Sequence, residues 1–401
     1  MRALSWKAFE TRQGDRGIRL PPLLKTLDDL AIETPSWGYG DGGTRFKVFH
    51  SPGAARNVFE KFEDAAVVHA LTGLCPSVAV HIPWDKATPM TKLRRHAAAL
   101  GLRIGAVNPN LFQDDAYKFG SVTSVRADVR RKAIRHLIEC VDIAREVRSE
   151  IVSLWFADGT NYPGQGDIRA RKEWMEEALA ATARALGPRM RMLIEYKFFE
   201  PAFYHTDIAD WGMAFTFASR LGPKAQVLVD TGHHAPGTNV EHVVAFLLDE
   251  EKLGGFHFNS RKYADDDLIV GSHNPYELFL IFHEILQACR AGRPGVRRTA
   301  GNIAFMIDQS HAIEPKIPAM IRSVLNVQTG YAKALLVNPE TLREARAKDD
   351  VLGAESAVRE AFEQDVTPLL AAWRERRGLP ADPLATFAKS GLADKLARER
   401  G

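Results

Sequence analysis

Short apolar runs, several of them stopping on a polar or charged residue, alternate along this chain with longer stretches of helical period. Strands are expected at 29–34, 77–82, 104–108, 151–156, 190–195, 225–230, 254–258 and 303–308. Ser77-Val-Ala-Val-His-Ile82 carries three β-branched residues and stops before Pro83. Ile151-Val-Ser-Leu-Trp-Phe156 is largely apolar on both faces, as buried parallel strands are. Between the runs, Val129, Ile134, Leu137, Ile138, Val141 and Ala144 repeat at helical spacing within Thr123–Arg148, and Phe279, Leu280, Phe282, Ile285 and Leu286 mark another helix. Eight such units predict an α/β chain folded as a (β/α)8 TIM barrel over 29–312, close to the roughly 250 residues usual for its body. An open doubly wound sheet fits less well, because no strand is followed by the glycine fingerprint of nucleotide sites. Residues 1–28 read as an N-terminal leader or helix. After Ser310 the pattern turns helical, so 313–401 is expected to form a C-terminal helical extension. Helices are placed there over Ile317–Leu336, Thr341–Lys348, Ala357–Glu375 with a break at Pro368, and Ala385–Glu399.

The ends of the strands carry the chemistry. Four of the later runs finish on Glu195, Asp230, His257 and Asp308, at intervals of 35, 27 and 51 residues that leave room for a helix after each. A parallel barrel gathers such ends at one mouth. Carboxylates brought together repel and resist ionisation, and a divalent cation offsets that cost. In Asp230-Thr-Gly-His-His234, His233 follows Asp230 by three residues, and Gly232 allows a sharp backbone course between them. A helix-capping aspartate followed by surface histidines is the plainer alternative. Alternation across Asp265-Asp-Asp267 turns Asp265 and Asp267 inward and Asp266 away.

These residues supply two ions: Glu195, Asp230, His257 and Asp308 for one, and His233, Asp265 and Asp267 for the other. Oxygen and imidazole donors without thiolate favour manganese, magnesium or cobalt over a structural zinc. His81, Asn108 and Trp155 occupy other strand ends. Lys197, next but one to Glu195, suits a substrate oxygen that gathers charge. Trp37, Trp84, Trp155 and Phe112 offer apolar walls, and His311 a supporting role. Aromatic flanks around polar groups and an ion pair fit a polyhydroxylated small molecule such as a sugar.

Composition narrows the field further. The formal charge of +3 on 401 residues argues against a dedicated nucleic-acid surface. The basic stretch 126–132 is interrupted by acid and reads as a solvated helix face, and Arg297-Arg298 as part of an exposed loop. Cys75, Cys140 and Cys289 form no spaced metal motif, and an odd count suits a reducing compartment, so the cytoplasm is expected. No apolar stretch reaches the length needed to span a membrane.

Longer ordered motifs add a resemblance. They are Pro35-Ser-Trp-Gly-Tyr-Gly-Asp-Gly-Gly-Thr-Arg-Phe46, His81-Ile-Pro-Trp-Asp-Lys86, Tyr117-Lys-Phe-Gly-Ser121 and Asp158-Gly-Thr-Asn-Tyr-Pro-Gly-Gln165. Glu200-Pro-Ala-Phe-Tyr204, Leu221-Gly-Pro-Lys-Ala-Gln226, Asp230-Thr-Gly-His-His-Ala-Pro236, Gly254-Gly-Phe-His-Phe-Asn259 and Met306-Ile-Asp-Gln-Ser-His311 continue them. In these motifs the chain resembles the metal-dependent L-rhamnose isomerases of the broad-specificity bacterial type, relatives of the xylose isomerases.

That resemblance implies an aldose–ketose isomerase converting L-rhamnose to L-rhamnulose by a metal-mediated hydride shift. It also implies two divalent cations, manganese first and cobalt or magnesium next, and a homotetramer assembled through the C-terminal helices. The family's structural-metal ligands fall on Glu195, Asp230, His257 and Asp308, and its catalytic-metal ligands on His233, Asp265 and Asp267. Its substrate contacts fall on His81, Trp155 and Lys197, with Asp308 near the reacting end, and Trp37 resembles an apolar-wall residue. Phe46 belongs to a glycine-rich loop that in relatives reaches the neighbouring subunit's pocket. The chain departs from the pattern in a longer segment around 292–301 and in Asn259-Ser-Arg-Lys262. The alternatives are an isomerase or epimerase of another rare sugar, a metal-dependent hydrolase, and a sugar-binding protein with a degenerate site.

Overall fold

The computed structural model describes residues 5–42, 48–200, 203–262, 264–265, 267–309 and 313–401. Its centre is a closed barrel of eight parallel strands. These are β1 (Glu33–Pro35), β2 (Ser77–Ile82), β3 (Arg103–Pro109), β4 (Ile151–Leu154), β6 (Arg191–Glu195), β8 (Ala225–Asp230), β9 (Leu253–Phe258) and β10 (Ala304–Ile307). A separate antiparallel ribbon, β5 (Gly159–Thr160) with β7 (His205–Thr206), lies in the loops above. The ring closes where Glu33 of β1 meets Met306 of β10 on one side and Ser77 of β2 on the other.

The barrel body is a TIM barrel, as the alternation of strand and helix predicts. The first strand was expected at 29–34 but starts only at Glu33. Leu30 and Ile32 are buried by packing before the backbone joins the ladder, and apolar character alone does not separate those two states.

Alternation along each strand divides the core in two. Val78, Val80, Val152, Leu154, Ile194, Val227, Val229, Phe256 and Phe258 face outward into the main hydrophobic cluster shared with the helices. Ala79, Ala106, Leu193, Leu228 and Met306 form a small apolar plug inside the barrel. Two residues further along the same strands stand His81, Asn108, Glu195, Asp230 and Asp308. The chemistry therefore sits one layer above a packed floor. At the lower end Gly105 is needed for space: a Cβ there would lie 1.6 Å from Glu33 Oε2.

Side-chain caps explain where several helices start. Asn57, Asp167, Asp210, Asn239 and Asn274 each accept a hydrogen bond from a first-turn amide. Asp230 caps no helix, because the helix after it begins at Val240 behind Asn239. Arg297 and Arg298 lie in a short helix, Pro294–Ala300, rather than an exposed loop; Pro294 starts it, since its missing N–H costs nothing in a first turn.

The C-terminal helices are Lys316–Leu335, Pro339–Ala347, Val351–Phe362, Thr367–Arg376, Pro383–Lys389 and Leu392–Arg400. The break expected at Pro368 comes before it. The helix ends at Phe362, and Pro368 sits in the first turn of the next. The last helix is likewise two, divided where Gly391 takes the left-handed conformation at φ 69°. Helices Trp6–Asp15 and Leu20–Asp28 are tied to this region through Gln13 donating to Gln364 (3.1 Å) and Trp373 Nε1 donating to Asp28 (2.9 Å). No described helix is long and apolar enough to cross a membrane.

Candidate active site

Two groups of ligating side chains converge at the mouth of the barrel. Glu195, Asp230, His257 and Asp308 form one; Asp230, His233 and Asp265 form the other. Within each group one donor atom per residue lies within 4.8 Å of every other. The expectation put Asp267, not Asp230, in the second group. In the structure Asp230 belongs to both, since it ends β8 beside β9 and the turn after it carries His233. Asp267 lines the same cavity. Gly232 matters for space rather than for a left-handed turn: a Cβ would come within 2.7 Å of Asn259 and 2.8 Å of Asp265.

The cluster carries more negative charge than its own cations balance. Burial opposes ionisation of Glu195, yet His257 and His233, each with an imidazole nitrogen 3.2 Å away, draw its carboxyl down to about 2. Burial opposes a charge on His257 too, but Glu195 and Asp308 carry it up to about 9. Asp230, buried among other acids, is pushed up to about 7. Burial also raises Asp267, helped by Asp265, and raises Asp308. A divalent cation bound among these carboxylates would offset the repulsion and burial that oppose their ionisation.

The residues fit hard divalent cations. Asp230 Oδ2 and Asp265 Oδ1 are buried without a hydrogen-bond partner among the described residues. Such orphans are costly unless something binds them. Two cations held by Glu195, Asp230, His233, His257, Asp265, Asp267 and Asp308 would supply it, and a donor set without thiolate suits manganese, magnesium or cobalt.

The cavity beside this cluster, about 210 Å³, is also lined by Trp37, His81, Trp84, Phe112 and Trp155. His81 stacks on Trp84 at 4.2 Å, and Phe112 meets Trp155 edge-on at 5.0 Å. Burial lowers His81 to about 3, so its ring is neutral near pH 7. Trp37 is more than an apolar wall: its Nε1 donates to Asp308 Oδ1 at 2.8 Å. Lys197 Nζ contacts Glu200 (2.6 Å) and Asp265 (2.7 Å) and lies 5.3 Å from the Trp155 ring centre. Burial works against its charge, but Asp265 and Glu200 prevail and raise it. Phe46 and His311 lie outside the described residues.

Three contributors escaped the sequence reading. Ser153 and Asn259 stand two residues after Ile151 and His257, so the period of two signalled both. Glu200 follows Lys197 by three residues, but nothing in its spacing marked it as that lysine's partner.

The xylose isomerase-like TIM-barrel family model matches residues 70–287. A protein of Rhizobium meliloti (strain 1021) described as a probable sugar isomerase is 40% identical over 98% of this chain and 92% of its own length. The chain belongs to the xylose isomerase-like TIM-barrel family. The xylose isomerase of Thermus thermophilus is 31% identical over 56% of this chain and 62% of its own length. The fold is also that of the solved 3-keto-D-glucoside 4-epimerase from E. coli, with TM-score 0.53 at 11% identity, covering 75% of this chain and 98% of that one.

Proposed function

We propose that this chain interconverts sugars at a two-cation centre, as an aldose–ketose isomerase or an epimerase. The observation that carries this reading is the pair of ligand groups sharing Asp230, beside a cavity lined by aromatic side chains. The probable sugar isomerase of R. meliloti, similar over nearly its full length, supports this wider class more directly than any one substrate. Within the class we propose L-rhamnose to L-rhamnulose as the reaction, on the motifs described above. An isomerase or epimerase of another rare sugar is the second reading, favoured by the broad description of that relative.

The two ligand groups would hold divalent cations, whose chemistry would be to stabilise negative charge developing on substrate oxygens. The chain's own groups do the rest. Lys197, kept charged by Asp265 and Glu200, places an ammonium beside Trp155 where it can neutralise charge growing on a carbonyl oxygen. His81 lines the cavity with a neutral ring, which can exchange a hydrogen bond with a sugar hydroxyl. The aromatic wall covers the apolar faces of the sugar and excludes water.

The proposed conversion is balanced. The O2 proton leaves, hydride moves from C2 to C1, and O1 takes up a proton, so aldose becomes ketose without an external oxidant. A hydride shift needs no base at C2. This suits a cavity whose carboxylates, Glu195, Asp265, Asp267 and Asp308, all fall within the proposed ligand set. Retention of the C2 hydrogen in product formed in heavy water supports the shift; full exchange overturns it.

The deciding experiment is a screen of L-rhamnose, L-mannose, L-lyxose, D-allose and D-xylose with added Mn²⁺, resolving products by chromatography. A ketose from L-rhamnose at the highest kcat/KM supports the specific reading. A better alternative aldose moves the assignment to that sugar, and a product epimeric at C3 or C4 replaces isomerase by epimerase. No turnover of any sugar by a metal-loaded protein ends the proposal. A homotetramer is proposed with it, to be checked by light scattering.

A further inference from the structure

Asp230 presents two unlike oxygens. Its Oδ1 accepts hydrogen bonds from the Gly232 amide (2.6 Å) and from Asn259 Nδ2 (2.9 Å). Its Oδ2 is buried without a partner among the described residues, 3.9 Å from His233 Nε2 and 4.0 Å from His257 Nδ1. Both ligand groups run through this one carboxylate. We propose that Asn259 is a positioning residue for the metal centre: by occupying Oδ1, it leaves Oδ2 as the single oxygen that Asp230 offers to both cations. The proposal rests on the two-cation reading above and adds how the shared ligand is oriented.

The amide of Asn259 is itself held. The Asn259 backbone amide donates to Thr231 Oγ1 (3.0 Å), and that hydroxyl lies 3.0 Å from the Asn259 carbonyl and 3.3 Å from its Oδ1. Nδ2 also reaches Asp267 Oδ1, at 3.4 Å. Turning the amide over would set its oxygen against two carboxylates, so the network selects one orientation. Gly232 completes the arrangement, because a Cβ would lie 2.7 Å from Asn259 Oδ1 and 3.0 Å from Nδ2. Without the Asn259 bond, Oδ1 would keep only the Gly232 amide, and the carboxylate could rotate about its own axis. Partners of this kind orient metal ligands, and their loss typically costs about 10–100-fold in metal affinity.

The test uses the full chain stripped with chelator and titrated with Mn²⁺ by calorimetry, with melting of the metal-free protein measured alongside. Asn259→Leu removes the donor and keeps a side chain branched at the same carbon. It should bind two Mn²⁺ with both affinities reduced about 10–100-fold together, while the metal-free melting curve stays near that of the unaltered chain. Asn259→Ser, with a donor on a shorter arm, should recover part of the loss.

In the unaltered protein, electron paramagnetic resonance should show two coupled Mn²⁺ ions. Uncoupled ions rule out a shared oxygen and need no variant to fold. Loss of affinity at one cation alone, or a fall in metal-free stability with both affinities intact, overturns the role given to Asn259. A chain that binds no divalent cation removes the two-cation reading, a separate outcome.

Discussion

His283 should make this protein sensitive to mild acid by an amount that the structure sets. It lies on helix Pro275–Cys289, 3% exposed, with Nε2 unpartnered among the described residues and its ring stacked 6.5 Å from Phe279. Burial, aided by Arg346 and Arg290, lowers it to about 4. The ordinary value is about 6.5, so between those limits the unfolded chain binds a proton that the folded chain refuses. Stability from this residue is therefore complete above pH 6.5 and lost as pH falls toward 4. pH 5 lies about 1.5 units below the unfolded histidine's ordinary value, and at about 1.4 kcal/mol per unit the folded state has lost about 2 kcal/mol.

His283→Leu removes the titration and fills the same apolar surroundings. Urea unfolding of both proteins at pH 7.5, 6 and 5 should give curves that differ little at the highest pH. At pH 5 the variant should lead by about 2 kcal/mol more than at pH 7.5. A stability difference that stays constant across that range would refute the reasoning, because the buried ring would then be protonated in the folded protein too.

Four further outcomes are expected. Chelation should abolish sugar turnover and lower the melting temperature, and Mn²⁺ should restore both; unchanged turnover in the stripped protein contradicts a metal-dependent reaction. Trp37→Phe removes the donor to Asp308 Oδ1, a charge-assisted bond worth about 1.5–3 kcal/mol, so kcat/KM should fall at least about tenfold, and wild-type kinetics would show that the contact is idle. Lys197→Met should depress kcat by two or more orders of magnitude with metal stoichiometry preserved; kinetics tell against the proposed role if only KM changes. Gly105→Ala should destabilise the barrel by about 1–3 kcal/mol through collision with Glu33, and the double variant with Glu33→Ala should recover most of that loss.

Much of the barrel and its chemistry was legible in the string because both depend on local periods. Alternation on Leu193–Glu195, Leu228–Asp230 and Met306–Asp308 puts an apolar residue on the floor and an acid above it in every case. Closing eight parallel strands brings those acids to one end. Boundaries were less legible. Leu30 and Ile32 have strand-like character but precede the strand, and Pro368 begins a helix instead of breaking one, because pairing and capping depend on neighbours that hydropathy does not name.

Residue type and a period of two were enough to establish the fold class and to bring the strand-end acids Glu195, Asp230 and Asp308 to one mouth of the barrel. How those side chains divide their atoms was settled only in the folded chain. Folding gave Asp230 to both ligand groups, set Trp37 to donate to Asp308, held Lys197 between Asp265 and Glu200, and reserved Gly232 for the amide of Asn259. Each of these is a contact between residues from different strands or loops, fixed within a few tenths of an ångström by packing. Spacing along the chain carries no information at that scale.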